Sequence, residues 1–149
     1  MVATGGVFVA LGSNLGDRAQ HIRDALRELA EAGDIRVLAL SSLHETDPVG
    51  GPPGQTRYIN AAAELATDLE PHTLLQRMQA IEQRHGRERT IPNGPRTLDL
   101  DLLLYRDRVL DEPDLVVPHS RMWQREFVLR PLGEICDPTR LAAARRLRE

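Results

Sequence analysis

At 149 residues, 41% of them hydrophobic and with a formal net charge of −3, the chain is sized for one soluble globular domain, 1–149, with an adequate core. No apolar run approaches a membrane span, the N-terminus lacks a charged region followed by a long apolar stretch, and the acidic balance disfavours a nucleic-acid backbone; no membrane, no nucleic acid and a cytoplasmic setting are expected. All nineteen basic residues are arginine, which excludes lysine Schiff-base chemistry, the Walker lysine and the kinase strand lysine, and the single Cys136 excludes an intrachain disulfide and a multi-cysteine zinc site.

In chain order, the apolar run 6–12 reads as a central strand, ending in the turn Ser13-Asn14-Leu15-Gly16-Asp17. A glycine-flanked turn between strand and helix either cradles phosphate or uses its glycine for steric reasons alone. The following helix has Ile22, Leu26 and Leu29 at helical spacing and Gly33 to stop it. A second strand, 35–43, leads into a long glycine- and proline-rich loop, 42–56, with the features of a lid or of a disordered insertion. In the strand 58–69, alternation puts Tyr58, Asn60, Ala62 and Glu64 on one face, where the phenol and amide are suited to a flat heterocycle or to solvent. Glu70-Pro71 opens a second helix whose buried stripe is Leu74, Met78 and Ile81, with Gln79 and Glu82 as neighbours on another face and Gly86 at its end.

The stretch 94–105, Gly-Pro-Arg-Thr-Leu-Asp-Leu-Asp-Leu-Leu-Leu-Tyr, carries the most chemistry. Strand alternation places Leu98, Leu100, Leu102 and Leu104 on one face and Asp99, Asp101, Leu103 and Tyr105 on the other. Carboxylates two residues apart start roughly 6.5 Å from each other, a separation from which both converge on one or two hard cations. Magnesium suits such a pair because it takes its other ligands from water and phosphate. Just upstream, Arg87, Arg89 and Arg96 lie in a segment broken by glycine and proline, and guanidinium forks match phosphate oxygens. Acids for metal beside arginines for phosphate describe a nucleotide polyphosphate site.

After an excursion over 106–117, His119 follows a proline-fixed turn, Arg125 falls in a short helix, and 139–149 forms a terminal helix with Arg145, Arg146 and Arg148 on a solvated face. The order strand, helix, strand, strand, helix, strand is the α+β, ferredoxin-like βαββαβ sandwich: an antiparallel sheet with helices on one face and, on this reading, the active site on the other.

The strings Ala10-Leu11-Gly12-Ser13-Asn14-Leu15-Gly16, Tyr58-Ile59-Asn60-Ala61, Gly94-Pro95-Arg96-Thr97-Leu98-Asp99-Leu100-Asp101 and Val117-Pro118-His119, in this order and spacing, closely resemble the hydroxymethyl-dihydropterin pyrophosphokinase family of folate biosynthesis. The resemblance runs from Val7 to about Ile135. It implies transfer of the β,γ-diphosphoryl unit of ATP to the pterin hydroxymethyl group, giving AMP, with ATP and the reduced hydroxymethylpterin as the partners. Separately, a monomer is expected, with a dimer as the alternative. By position, Asp99 and Asp101 resemble ligands of two Mg2+ ions; Arg87, Arg89 and Arg96 resemble the phosphate clamp, with Arg87 and Arg96 counted as catalytic beside the acids. Gln79, Glu82, Leu102, His119, Ser120 and Arg125 match nucleotide positions, and Thr46, Pro48, Val49, Tyr58, Asn60 and Phe127 match the pterin pocket. Asn93, Asp47 and Ser120 stand where tryptophan, proline and tyrosine are common in the family. The competing readings are a non-catalytic ligand-binding module on the same fold and an RNA-reading sheet; aromatic content of only 3% leaves the latter without a stacking platform.

Overall fold

The computed structural model describes residues 5–47, 53–54, 56–86 and 97–148. The elements are β1 (Val7–Ser13), α1 (Arg18–Ala30), β2 (Ile35–Leu40), β3 (His44–Thr46), β4 (Tyr58–Thr67), α2 (Pro71–Arg84), β5 (Asp99–Tyr105), β6 (Leu110–Glu112), β7 (Leu115–Val117), α3 (Glu126–Ile135) and α4 (Pro138–Arg146). The main sheet runs β2-β4-β1-β5 with every neighbour antiparallel, and β3 extends the β2 edge of β4. Taking β2 with β3 as one interrupted strand recovers the expected βαββαβ order, with β6 and β7 added as a separate hairpin.

Local chemistry sets the helix limits. Asp17 caps α1 by accepting from Gln20 N at 3.2 Å. Pro71 occupies the first turn of α2, where its missing N–H costs nothing, and Gly86 takes φ +76° just past its end. Ile22, Ala25, Leu26 and Leu29 of α1 and Leu74, Met78 and Ile81 of α2 then pack on Val7, Val9, Leu11, Ala61, Ala63, Leu65, Leu98, Leu100 and Leu102. That core covers one face of the sheet.

The opposite face is only partly open, because α3 and α4 add a second layer to the expected βαββαβ frame. Phe8, Ala62, Leu103 and Leu104 form a second core with Met122, Val128, Leu132, Cys136 and Ala144 from α3, α4 and the turn before them. Pairing explains how β5 serves both sides: Phe8 faces Leu104 and Val9 faces Leu102, so Leu103 is an extra residue at a β-bulge. Beyond the bulge the alternation is inverted. Leu104 therefore joins the α3 side instead of the helical core, and Tyr105, expected beside the acids, enters the α1/α2 core and donates its hydroxyl to the Leu69 carbonyl. Arg125 immediately precedes a ten-residue helix rather than lying inside a short one; Pro131 sits within that helix.

Candidate active site

The face left uncovered lies at the β1 C-terminal end of the sheet. Asp99 pairs across β1 with Gly12, Gly12 pairs with Asn60, and Asn60 pairs with His44, giving one row across four strands. In the next row Asp101 faces Ala10, and Ala10 faces Ala62. Small residues on β1 thus make a floor between an acidic strand and an amide. With strands about 4.8 Å apart, the Asp99 and Asn60 backbones stand two spacings, roughly 10 Å, from each other.

On the acid side, both carboxylates are half-buried on the same face, as alternation requires. His119 is carried to them by backbone pairing, its N–H donating to the Leu103 carbonyl at 2.9 Å. Its Nδ1 accepts from Arg121 N at 3.2 Å, so in the neutral ring the proton sits on Nε2, which faces Asp101 Oδ1 at 3.9 Å. Burial first, then the positive charges of Arg125 and Arg121, push the His119 pKa down against the opposing pull of Asp99. A neutral donor with two guanidinium groups nearby, next to two carboxylates, is a setting for a phosphate chain and its cations.

On the amide side, Asn60 is almost fully buried and donates from Nδ2 to Thr46 Oγ1 at 2.5 Å. Its Oδ1 lies over Gly12, where a β-carbon would come within 3.0 Å, and Tyr58 borders the same glycine. Phe127, half-buried at the start of α3, has the Arg125 guanidinium 5.6 Å from its ring centroid. α3 is held to the β2–β3 corner by Glu134, which accepts from Ser42 N at 2.7 Å and from the Ser42 hydroxyl and bonds His44.

The sequence-derived residues divide accordingly. Asp99, Asp101, His119 and Arg125 gather at one end of the open face, Thr46, Tyr58 and Asn60 on the neighbouring strands, and Ser120 is exposed beside His119. Leu102 is 3% exposed and its side chain lies in the α1/α2 core, because the same alternation that turns the acids out turns it in. Gln79 is exposed on α2, whereas Glu82 is buried and accepts from Leu100 N at 2.8 Å, so its carboxylate holds the acid-bearing strand. The turn after β1 is used structurally, with Asn14 Nδ2 donating to the Thr56 carbonyl at 3.1 Å. Arg87, Arg89, Arg96, Pro48, Val49 and Asn93 lie outside the described residues. Sequence reading missed the floor of Ala10 and Gly12, which only the strand register exposes, and Arg121, which stands two residues from a singled-out histidine.

The chain resembles known proteins over most of its length. The model of the 7,8-dihydro-6-hydroxymethylpterin-pyrophosphokinase (HPPK) family matches residues 8–137. The chain belongs to this family. Among HPPK relatives, the 2-amino-4-hydroxy-6-hydroxymethyldihydropteridine pyrophosphokinase of Bacillus subtilis is 46% identical over 130 residues, 87% of this chain and 77% of that protein. The protein of the same name from Pseudomonas aeruginosa is 46% identical over 143 residues, 96% of this chain and 88% of that protein. A solved structure described as HPPK-DHPS in complex with substrates shares the fold, with a TM-score of 0.64 at 12% identity over 88% of this chain and 40% of that one.

Proposed function

We infer that this HPPK-family chain acts as its relatives are named, as a 2-amino-4-hydroxy-6-hydroxymethyldihydropteridine pyrophosphokinase of folate synthesis, with ATP and the hydroxymethylpterin as substrates. The finer reading rests on one observation: two half-exposed carboxylates share a face with a buried amide, separated by a floor of Gly12 and Ala10. The polyphosphate lies toward Asp99 and Asp101, the pterin ring toward Asn60, Tyr58, Thr46 and Phe127, and the hydroxymethyl oxygen over the glycine. That oxygen attacks the β-phosphorus, its proton leaving to solvent, as the bond from that phosphorus to the oxygen bridging to the α-phosphate breaks, so AMP departs with the bridging oxygen. Positioning and charge neutralisation supply the catalysis of such in-line transfers.

Asp99 and Asp101 fit a hard divalent cation by donor chemistry, since their side-by-side carboxylates offer oxygen ligands on the open end of the face. They would hold two Mg2+ ions, which when bound neutralise the phosphate charge. His119 donates from Nε2 to a phosphate oxygen, Arg125 adds charge beside it, and Asn60 presents its amide to the ring edge. Arg87, Arg89 and Arg96 complete the phosphate clamp, Pro48 and Val49 the pterin pocket, and Gln79 and Ser120 lie toward the nucleotide. The chain works as a single domain, 1–149, in the cytoplasm, as a monomer or a dimer; among the described residues no helix is long and apolar enough to cross a membrane.

The test mixes protein, ATP, Mg2+ and the reduced hydroxymethylpterin and separates the nucleotides. Pterin-dependent AMP is the expected product; ADP would indicate ordinary kinase chemistry, and no turnover a binding module. Asp101→Ala should keep the wild-type circular dichroism spectrum and lose about 10²-fold or more in kcat. An Asp101→Ala variant with full turnover would remove the metal assignment.

A further inference from the structure

The last turn of α2 grips β5 and α1 at once. On the β5 side, the Glu82 carboxylate accepts from Leu100 N, between the two acids in sequence, and the His85 carbonyl accepts from the Thr97 hydroxyl. On the α1 side, His85 Nε2 meets Glu28 Oε2 at 2.7 Å and His85 Nδ1 meets His21 Nδ1 at 2.7 Å, the two rings lying edge to face. A carboxylate accepts, so Nε2 of His85 carries a proton, and the two facing Nδ1 atoms share one more between them. The His85 side chain is only 8% exposed with both ring nitrogens partnered. Helix termination does not demand this, since Gly86 already ends α2 with positive φ.

Apolar packing between α1 and α2 brings the helices together but tolerates sliding, whereas a fully partnered polar network selects one arrangement. Sliding matters here because, among the described strands of the main sheet, β5 stands at the edge with β1 as its one partner. Besides the His119 N–H on the Leu103 carbonyl, the strand is held by Glu82, three residues before His85 in the chain, and by Thr97, twelve residues after it, whose hydroxyl donates to the His85 carbonyl. We propose that His85, locked by His21 and Glu28, is a positioning residue for the Mg-ATP end of the site, setting the placement of Asp99 and Asp101 through Thr97 and Leu100. The proposal rests on the pyrophosphokinase reading above. An arrangement of catalytic groups tolerates only about 0.5 Å of error, and a misplacement of about 1 Å from a remote change can cost about 10²-fold.

The experiment measures kcat, the KM for Mg-ATP, the KM for the pterin, the Mg2+ concentration giving half-maximal rate, and Tm for the full chain and its His85→Ala, His85→Gln, His21→Ala and double-alanine variants. His85→Ala should raise the Mg-ATP KM and the Mg2+ requirement about tenfold while the pterin KM stays within about twofold. Glutamine, which both donates and accepts, should recover most of the loss. The double-alanine variant should be no worse than His85→Ala, as expected of residues acting through one network. His21→Ala keeps the Glu28 bond and therefore the fold, and should give the same split at about threefold. A wild-type chain without pterin-dependent AMP overturns the activity and this proposal together. An active wild type overturns the proposal alone if the alanine variants keep wild-type Mg-ATP and Mg2+ dependence, if both KM values move equally, or if glutamine behaves as alanine.

Discussion

Gly12 is extended backbone in mid-strand, where glycine costs roughly 0.5–1 kcal/mol relative to alanine, so its presence needs a spatial reason. The reason is Asn60, whose Oδ1 would lie 3.0 Å from an added β-carbon. Gly12→Ala should therefore separate stability from activity: Tm unchanged or slightly raised, and the pterin KM raised about tenfold because Asn60 must shift by a few tenths of an ångström. Thermal melts and substrate titrations on the same preparation check it; an unchanged pterin KM would move the ring away from this floor. Asn60 itself was legible as a polar residue on the right face of β4, since alternation alone decides that. Its partnership with Thr46 was not, because that contact depends on β3 folding back along β4.

Helix ends were readable because their causes are local: Asp17, Pro71, Gly33 and Gly86 each act within a turn of the residues they terminate. The direction of Asp99 and Asp101 was readable for the same reason. Tyr105 was misplaced because the bulge at Leu103 exists only in the pairing of β5 with β1, nearly a hundred positions earlier in the chain. Likewise, the grip of α3 on the sheet runs through Glu134, Ser42 and His44, which no periodicity connects. The Ser42 N–H foremost, then its hydroxyl and His44, hold the Glu134 carboxyl at about 2 against an ordinary 4.5. The folded form thus favours the carboxylate: the stabilisation is fully present above pH 4.5 and is lost as pH falls from there through about 2. Glu134→Gln should flatten that acid limb of the stability curve and leave the neutral-pH fold intact. Denaturant melts of both proteins across this range are the check, and parallel curves would show that the carboxylate is not coupled to folding.

Two cores share one sheet, and the two halves of the proposed site are attached to different ones. Leu74 belongs to the α1/α2 core, whose helices brace the acid-bearing strand; Leu132 belongs to the α3/α4 core, whose first helix carries Phe127 and follows Arg125. Both leucines are fully buried, so truncation of either to alanine should destabilise by about 2–5 kcal/mol. Because β1, β4 and β5 contribute side chains to both faces, unfolding should stay a single transition in each variant, as for one cooperative unit. The residues lie on opposite sides of the sheet and share no side-chain cluster, so their stability losses should add to within about 0.5 kcal/mol in the double variant. Function should not divide equally: at temperatures where each variant remains folded, Leu74→Ala should weaken Mg-ATP more than pterin, and Leu132→Ala the reverse. Equilibrium melts with substrate titrations of the two single variants and the double measure all three outcomes. Equal effects on both substrates from both truncations would mean that the cores do not position the two ends of the site separately.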